Sequence, residues 1–275
     1  MKILSVRLAY FSPTGTTRTV IEHIAQGIGI EVVEALNFNS PQSGVNDYEV
    51  IDKDTLLVIG APVYAGRIPP IAIERFQCLK ANGAPVVLVV LYGNREFEDA
   101  LLEFSDFTVS AGFVPIAGGA FIGEHSFSTP SVPLSKGRPD REDIRRAREF
   151  GGAIRDYLRN LRNVRDIRPP EFPGNRPFKE HPEFPAISPV TDSTRCTACG
   201  VCIEACPSES IAIESMSETN AATCILCCAC IKTCPENARG LEDPFARKII
   251  EWLSANTMKR KEPEVFWAPK RSDVP

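Results

Sequence analysis

Short, continuously apolar runs alternate along this chain with segments whose apolar residues recur every three or four positions. Residues 3–11, 31–38, 55–60 (TLLVIG), 85–92 (PVVLVVLY) and 113–121 belong to the first kind and predict strands, the 85–92 run most strongly. Residues 16–28 belong to the second, with Val20, Ile21, Ile24, Ala25 and Ile28 at helical spacing. Residues 71–79 and 95–104 also read as helices. Residues 141–161 predict a long charged helix with Ile144, Ala147, Ala153, Ile154, Tyr157, Leu158 and Leu161 on its apolar side. Strands apolar throughout, alternating with helices, imply a doubly wound α/β unit whose parallel sheet is covered on both faces. Ligands of such sheets bind beyond the carboxyl ends of the strands, where the strand order reverses.

Three loops lie at predicted strand ends. Residues 10–19, YFSPTGTTRT, join the first strand to the first helix. Ser12, Thr14, Thr16 and Thr17 surround Gly15 there, and Pro13 fixes a corner. A helix N-terminus presents free N–H groups and the positive end of a dipole, so the loop suits an anion. An ordinary N-cap needs one Ser or Thr, and four hydroxyls exceed that. The loop lacks the Gly-Lys-Ser/Thr ending of a nucleotide P-loop, and Arg18 reads as a solvated helix residue. The second loop, 60–69 (GAPVYAGRIP), contains Pro62, Val63, Tyr64, Ala65, Gly66 and Arg67; the third contains Tyr92, Gly93, Asn94 and Arg95. Their glycines allow close backbone approach to a ligand. Tyr64 and Tyr92 suit either stacking on a ring or ordinary packing. A further stretch, 118–128 (GGAFIGEHSFS), ends the last strand and carries His125, a proton donor or a turn residue.

The S-P-T-G-T-T run resembles the flavodoxin phosphate loop. The resemblance implies that Ser12, Pro13, Thr14, Gly15, Thr16 and Thr17 bind the phosphate of FMN. It further implies that the loops at 62–66 and 92–95 flank the isoalloxazine ring. His125 and Arg67 are then the candidates for catalysis beside it.

Beyond the long helix the composition changes. Residues 166–187 are proline-rich and predict an extended linker lying against the first unit, since Phe172, Phe178 and Phe184 favour burial. Of ten cysteines, nine fall between Cys196 and Cys234. They form two near-copies, Cys196-x2-Cys199-x2-Cys202-x3-Cys206-Pro207 and Cys224-x2-Cys227-x2-Cys230-x3-Cys234-Pro235. Zinc sites use paired knuckles and need four ligands, and a disulfide framework does not require two equal spacings. The runs resemble bacterial-type ferredoxins with two [4Fe–4S] clusters, in which the fourth cysteine of each run serves the other cluster. That likeness implies one cluster on Cys196, Cys199, Cys202 and Cys234, and another on Cys224, Cys227, Cys230 and Cys206. Cys228 and Cys78 read as small buried side chains. The expected ferredoxin domain is a small α+β unit over 188–241, with a strand at 211–213, and the clusters must hold so small a core together. A helix and tail occupy 242–275, with Phe245, Ile249, Ile250, Trp252 and Leu253 interleaved with charges.

A net charge of −4 does not favour a nucleic-acid partner. No apolar run approaches the roughly 18 residues of a membrane span. The opening MKILSVRLAYF breaks at Arg7 and reads as a strand, not a signal peptide. Over nearly its whole length the chain is similar to the flavodoxin–ferredoxin fusion proteins of anaerobic microbes. The likeness implies cytoplasmic, low-potential electron transfer between two clusters and FMN, with a redox partner protein, a small electron acceptor, or both. Three functions stay open: an oxidoreductase acting on a small acceptor, a carrier docking to a larger oxidoreductase, and an iron–sulfur sensor without flavin. Glu204, Glu209, Glu214 and Glu218 are either a docking face for a basic partner or a solvated surface.

Overall fold

The computed structural model describes residues 2–40, 49–161, 163–164, 167–212 and 218–269. Glu214, Ile213 and the last residues of the tail lie outside them. The first unit contains β1 (Ser5–Tyr10), α1 (Thr16–Ile28), β2 (Val32–Asn37), β3 (Glu49–Ile51), β4 (Thr55–Pro62), α2 (Pro70–Phe76), β5 (Leu79–Ala81), β6 (Pro85–Tyr92), α3 (Ala100–Ser110), β7 (Val114–Ile122) and α4 (Arg141–Arg159). Five of its strands pair in parallel in the order β2-β1-β4-β6-β7. This is the flavodoxin-like doubly wound order, with its switch point between β1 and β4.

Burial on both faces explains why β4 and β6 are apolar without alternation. In β6, Val86, Leu88 and Val90 pack with Phe76 and Phe104 on the α2/α3 side. Val87, Val89 and Leu91 pack with Ile21, Ile24, Phe150 and Ile154 on the α1/α4 side. Helices α1 and α4 cross at backbone contact: a Cβ on Gly27 would lie 2.0 Å from the Arg148 carbonyl oxygen, and one on Gly151 2.0 Å from that of Ile24.

Two helix boundaries differ from the sequence reading. The helix expected over 95–104 starts only at Ala100, because Asn94 (φ 67°) and Glu98 (φ 41°) are left-handed and turn the chain first. Helix α2 ends at Phe76, and the following residues pair as β5 with β3.

The proline-rich segment is fastened to α3. Buried Asp99 accepts the backbone N–H groups of Asn175 (2.8 Å) and Lys179 (2.7 Å). Phe172 fills the space left by Gly118, and Phe178 lies under the guanidinium groups of Arg67 and Arg176. Phe184 stays half in solvent, edge-on to Phe245.

A small unit follows, with β8 (Val190–Thr191), α5 (Val201–Glu204), α6 (Ala229–Lys232) and β9 (Arg239–Gly240). Antiparallel β8 and β9 close it. Its two cysteine copies share their backbone turns: Ala198 and its counterpart Leu226 are left-handed (φ 55° and 53°), as are Gly200 and Cys228 (φ 79° and 56°). Cys228 is therefore a buried residue at a turn where the first copy has glycine.

The chain then returns to the first unit through α7 (Pro244–Asn256) and β10 (Glu264–Trp267). Strand β10 adds to the outer edge of β7, antiparallel. Strand alternation sends Trp267 to the α4 face, against Phe150 (5.3 Å) and Tyr157 (5.9 Å), and Phe266 to the other face, against Phe172 (5.9 Å).

Candidate functional site

A cavity of about 680 Å³ opens at the carboxyl ends of β1, β4, β6 and β7. Ser12, Pro13, Thr14, Thr16 and Thr17 line one end. The loop is rigidly held. Ser12 donates its N–H to Asn39 Oδ1 (2.6 Å), Asn39 Nδ2 donates to the Ser12 carbonyl (3.1 Å), and Ser12 Oγ accepts the Arg18 N–H (3.1 Å). Asn39 carries no local signal in the sequence, because its partner lies 27 residues away, past the end of the neighbouring strand. Gly15 stands outside the cavity lining but has φ 83° and caps α1 without a side-chain bond. Thr17 Oγ1 is buried and has no hydrogen-bond partner among the described residues. Leaving a buried hydroxyl unpaired is unfavourable by about 1–3 kcal/mol, so an acceptor supplied by a ligand fits there.

The middle of the cavity is formed by Pro62, Val63, Tyr64 and Ala65 at the end of β4 and just beyond it, by Tyr92, Gly93 and Arg95 at the end of β6 and just beyond it, and by residues 123–127 after β7. Tyr92 packs on Phe97 (5.4 Å), and its buried hydroxyl has no partner among the described residues. Tyr64 neighbours Cys227 and Cys228; burial, reinforced by those sulfurs, raises its phenol well above the ordinary range. His125 Nδ1 accepts the Phe127 N–H (3.0 Å), which leaves the proton of the neutral ring on Nε2. Burial first, then the charges of Arg95 and Lys232, lowers the imidazole to about 4. Gly93 makes room for it, since a Cβ there would lie 2.2 Å from the ring.

Arg67, Asn94 and Gly66 are not on the cavity wall. The Arg67 guanidinium makes two 2.8 Å bonds to the Glu103 carboxylate. The Asn94 side chain is spent on the returning tail, donating to the Thr257 (2.7 Å) and Lys259 (2.9 Å) carbonyls and accepting the Lys261 N–H (3.0 Å). Both are withdrawn from the site for that reason, and Gly66 serves the turn (φ 91°). Other parts of the wall were invisible to sequence reasoning. They are Lys179, Pro182 and Phe184–Ile187 from the linker, Ile249, Trp252 and Leu253 from α7, and Cys224, Ile225 and Leu226 from the small unit.

The eight motif cysteines fall into two sets. Cys196, Cys199, Cys202 and Cys234 line one small cavity. Cys206 lies within electrostatic reach of Cys224, Cys227 and Cys230. The fourth cysteine of each run thus stands with the first three of the other. Cys206 Sγ accepts the Ser210 N–H (3.3 Å), and its counterpart Cys234 Sγ accepts the Ala238 N–H (3.2 Å). No trio of His, Cys, Asp or Glu among the described residues gathers closely enough for a single metal ion. Ligands on separate irons of a cubane stand farther apart than ligands around one zinc. The sets differ in exposure: Cys199 is exposed, whereas Cys227 and Cys230 are buried and Cys224 faces the large cavity.

Two cations seat the small unit beside that cavity. Buried Arg75 donates to the Phe38 (2.9 Å), Asn39 (2.8 Å) and Pro207 carbonyls, and Lys232 bonds Glu124 (2.7 Å) and the Ser128 carbonyl (2.7 Å). No described helix is long and apolar enough to cross a membrane.

Residues 189–212 match the family described as a 4Fe-4S binding domain. No curated protein matches the chain. Among solved structures, a flavodoxin from the domain Archaea is similar at 12% identity over 57% of this chain and 99% of its own, with a TM-score of 0.38. A flavodoxin variant of Fusobacterium nucleatum bound to flavin mononucleotide is 15% identical over 60% of this chain and 96% of its own (TM-score 0.37). The rubredoxin oxygen:oxidoreductase of Desulfovibrio gigas is 12% identical over 57% of this chain and 37% of its own (TM-score 0.39). A segment that matches the 4Fe-4S binding domain therefore follows a sheet of flavodoxin-like order in one chain.

Proposed function

We propose that this protein transfers electrons between two [4Fe–4S] clusters and FMN, all held by the one chain. The observation that carries the reading is the shared cavity, walled at one end by the hydroxyl loop and elsewhere by Cys224, Ile225 and Leu226. Ser12, Thr14, Thr16 and Thr17 would hold the phosphate, and the unpaired Thr17 hydroxyl supports that assignment. The loops around Tyr64, Gly93 and His125 would hold the ring. Bound there, cubanes would supply one-electron steps and FMN both one- and two-electron steps, joining the two kinds of chemistry.

The chain's own residues give the arrangement an order. The set at Cys196, Cys199, Cys202 and Cys234, of which Cys199 is exposed, would be the outer port, where a redox partner docks. The set at Cys206, Cys224, Cys227 and Cys230 is the inner one, next to the flavin cavity. Tyr64 lines the cavity on the side of the inner set, near Cys227 and Cys228. His125 presents Nε2–H within the cavity and stays neutral, a hydrogen-bond donor to the flavin or to an acceptor upon it. The cytoplasm, reducing and rich in low-potential partners, suits this chemistry.

Denaturing anaerobically purified protein and analysing what it releases tests the reading. About one FMN and two cubanes per chain is the expected result; iron without flavin would leave the sensor reading in its place. A second reading, reduction of a small acceptor at the cavity mouth, is favoured by the exposed rings of Trp252 and Phe184. Turnover of quinones, nitro compounds or disulfides by reduced protein would establish it.

A further inference from the structure

Helix α7 carries more apolar surface than its own packing uses. Ala246, Ile250 and Leu253 are buried, and the last two pack beside Leu134 and Phe127. A second stripe, Phe245, Ile249 and Trp252, recurs at the i, i+4, i+7 spacing of one helix face. Ile249 and Trp252 line the large cavity, and Phe184 of the linker lines it with them. The two tryptophans of the chain differ here. Trp267 is packed against Phe150 and Tyr157, whereas Trp252 is 53% exposed and its ring has no aromatic contact among the described residues. An indole left open on a cavity wall suits a flat ring laid against it.

Polar groups on the same wall narrow the choice. Among the described residues, Arg95, Glu124 and Lys179 are the lining side chains that carry full charges, and each is already engaged. Arg95 and Lys179 bind the two carboxylate oxygens of Glu98, and Glu124 binds Lys232. The diphosphate of a dinucleotide would have to draw both cations away from Glu98, whereas a neutral ring displaces neither. His125 offers one neutral donor, Nε2–H, because Nδ1 accepts the Phe127 N–H. That donor suits a carbonyl oxygen. A disulfide has no ring to stack. A nitro group needs more electrons to reach an amine than one flavin carries, whereas a quinone is fully reduced by two.

We propose that Trp252 and Phe184 form the platform of an acceptor site for a neutral planar ring of the quinone class, with His125 Nε2–H donating to one of its carbonyl oxygens. The inference rests on the flavin reading above and deepens its second form. The quinone takes up two electrons and two protons, and its two C=O groups become C–OH. The reduced flavin gives up those electrons and protons and is oxidised. A reduced low-potential carrier protein restores the electrons one at a time through the clusters, and water restores the protons.

The test uses the full chain with its cofactors, prepared anaerobically and kept oxidised so that no turnover occurs. Flavin analysis comes first: wild type without FMN would overturn the flavin reading and this inference with it. Calorimetric titration then measures the binding of duroquinone, whose fully methylated ring leaves no carbon open to the free thiols. Trp252→Ala should raise its dissociation constant about tenfold, the order of one lost stacking contact. Trp252→Phe should recover most of that loss, and FMN affinity should be the same in all three proteins. NADH should not displace the quinone. In the reduced protein, KM for duroquinone should follow the dissociation constants. No binding of duroquinone to FMN-loaded wild type, or equal affinity in Trp252→Ala, would overturn the acceptor site and leave the flavin reading standing. Equal weakening of FMN and duroquinone in Trp252→Ala would assign the indole to the flavin itself and overturn the proposal. Displacement by NADH would overturn the neutral class of ligand.

Discussion

Thr17 shows how a single side chain can mark a ligand. Its hydroxyl is buried without a partner among the described residues, an arrangement that stabilises the bound state relative to the free one. Thr17→Val keeps the shape and removes the hydroxyl. The flavin-free variant should be as stable as wild type or slightly more so, while FMN binding weakens by about 1.5–3 kcal/mol, the range for a hydrogen bond to a charged group. That is roughly tenfold to hundredfold in Kd, measurable by fluorescence titration. His125 supports a prediction in pH. Its ordinary value of 6.5 falls to about 4 in the fold. As pH drops from 6.5 towards 4, the unfolded chain takes up a proton that the folded ring refuses, so stability falls with pH across that window. Above 6.5 the ring contributes no slope. The loss is at most about 3 kcal/mol, and the apparent melting temperature of His125→Gln should lack that part of the acid sensitivity.

Among the elements, the crossing of α1 and α4 positions the hydroxyl loop. Gly27 and Gly151 let the two backbones touch, and α1 carries the loop at its N-terminus. Gly151→Ala would force the helices apart, at about 1–3 kcal/mol of stability, and should weaken FMN binding by moving the loop. Its neighbour Gly152 is the control. A Cβ there meets nothing closer than 3.8 Å, so Gly152→Ala should be neutral or stabilising by up to about 1 kcal/mol. Thermal melts and flavin titrations of the two variants separate these outcomes. Much at this scale was legible from periodicity: the strands at 85–92 and 55–60 and the helices α1 and α4 stand where their apolar spacing predicts. The start of helix α3 was misread because Glu98, left-handed, interrupts a run whose composition alone favours helix.

For the whole molecule, the decisive feature is that the chain leaves the first unit and comes back. The linker is pinned at Asp99, and β10 closes the sheet edge, so the small unit is tethered at both ends beside the cavity. Its own apolar core is slight, whereas both faces of the large sheet are packed with the sheet unit's own helices. Removing iron with a chelator under anaerobic conditions should therefore unfold residues 188–241 and spare the sheet. Limited proteolysis should cut within 188–241 while the flavodoxin-like unit resists. Simultaneous loss of both units would mean that the clusters support the whole molecule.

By itself the sequence determined the parallel sheet, the hydroxyl loop and the spacing of the cysteines. Each is a local or periodic property, legible because backbone geometry and ligand spacing act over a few residues. The tertiary structure decided which cysteine set faces the cavity, where the tail returns, and that Arg67 and Asn94 serve Glu103 and the tail, not the site. It alone put Trp252, Phe184 and Leu226 on one wall. Those outcomes depend on contacts between distant residues, such as Asn94 with Lys261 and Arg75 with Pro207. Such contacts follow from packing in three dimensions and leave no period along the chain.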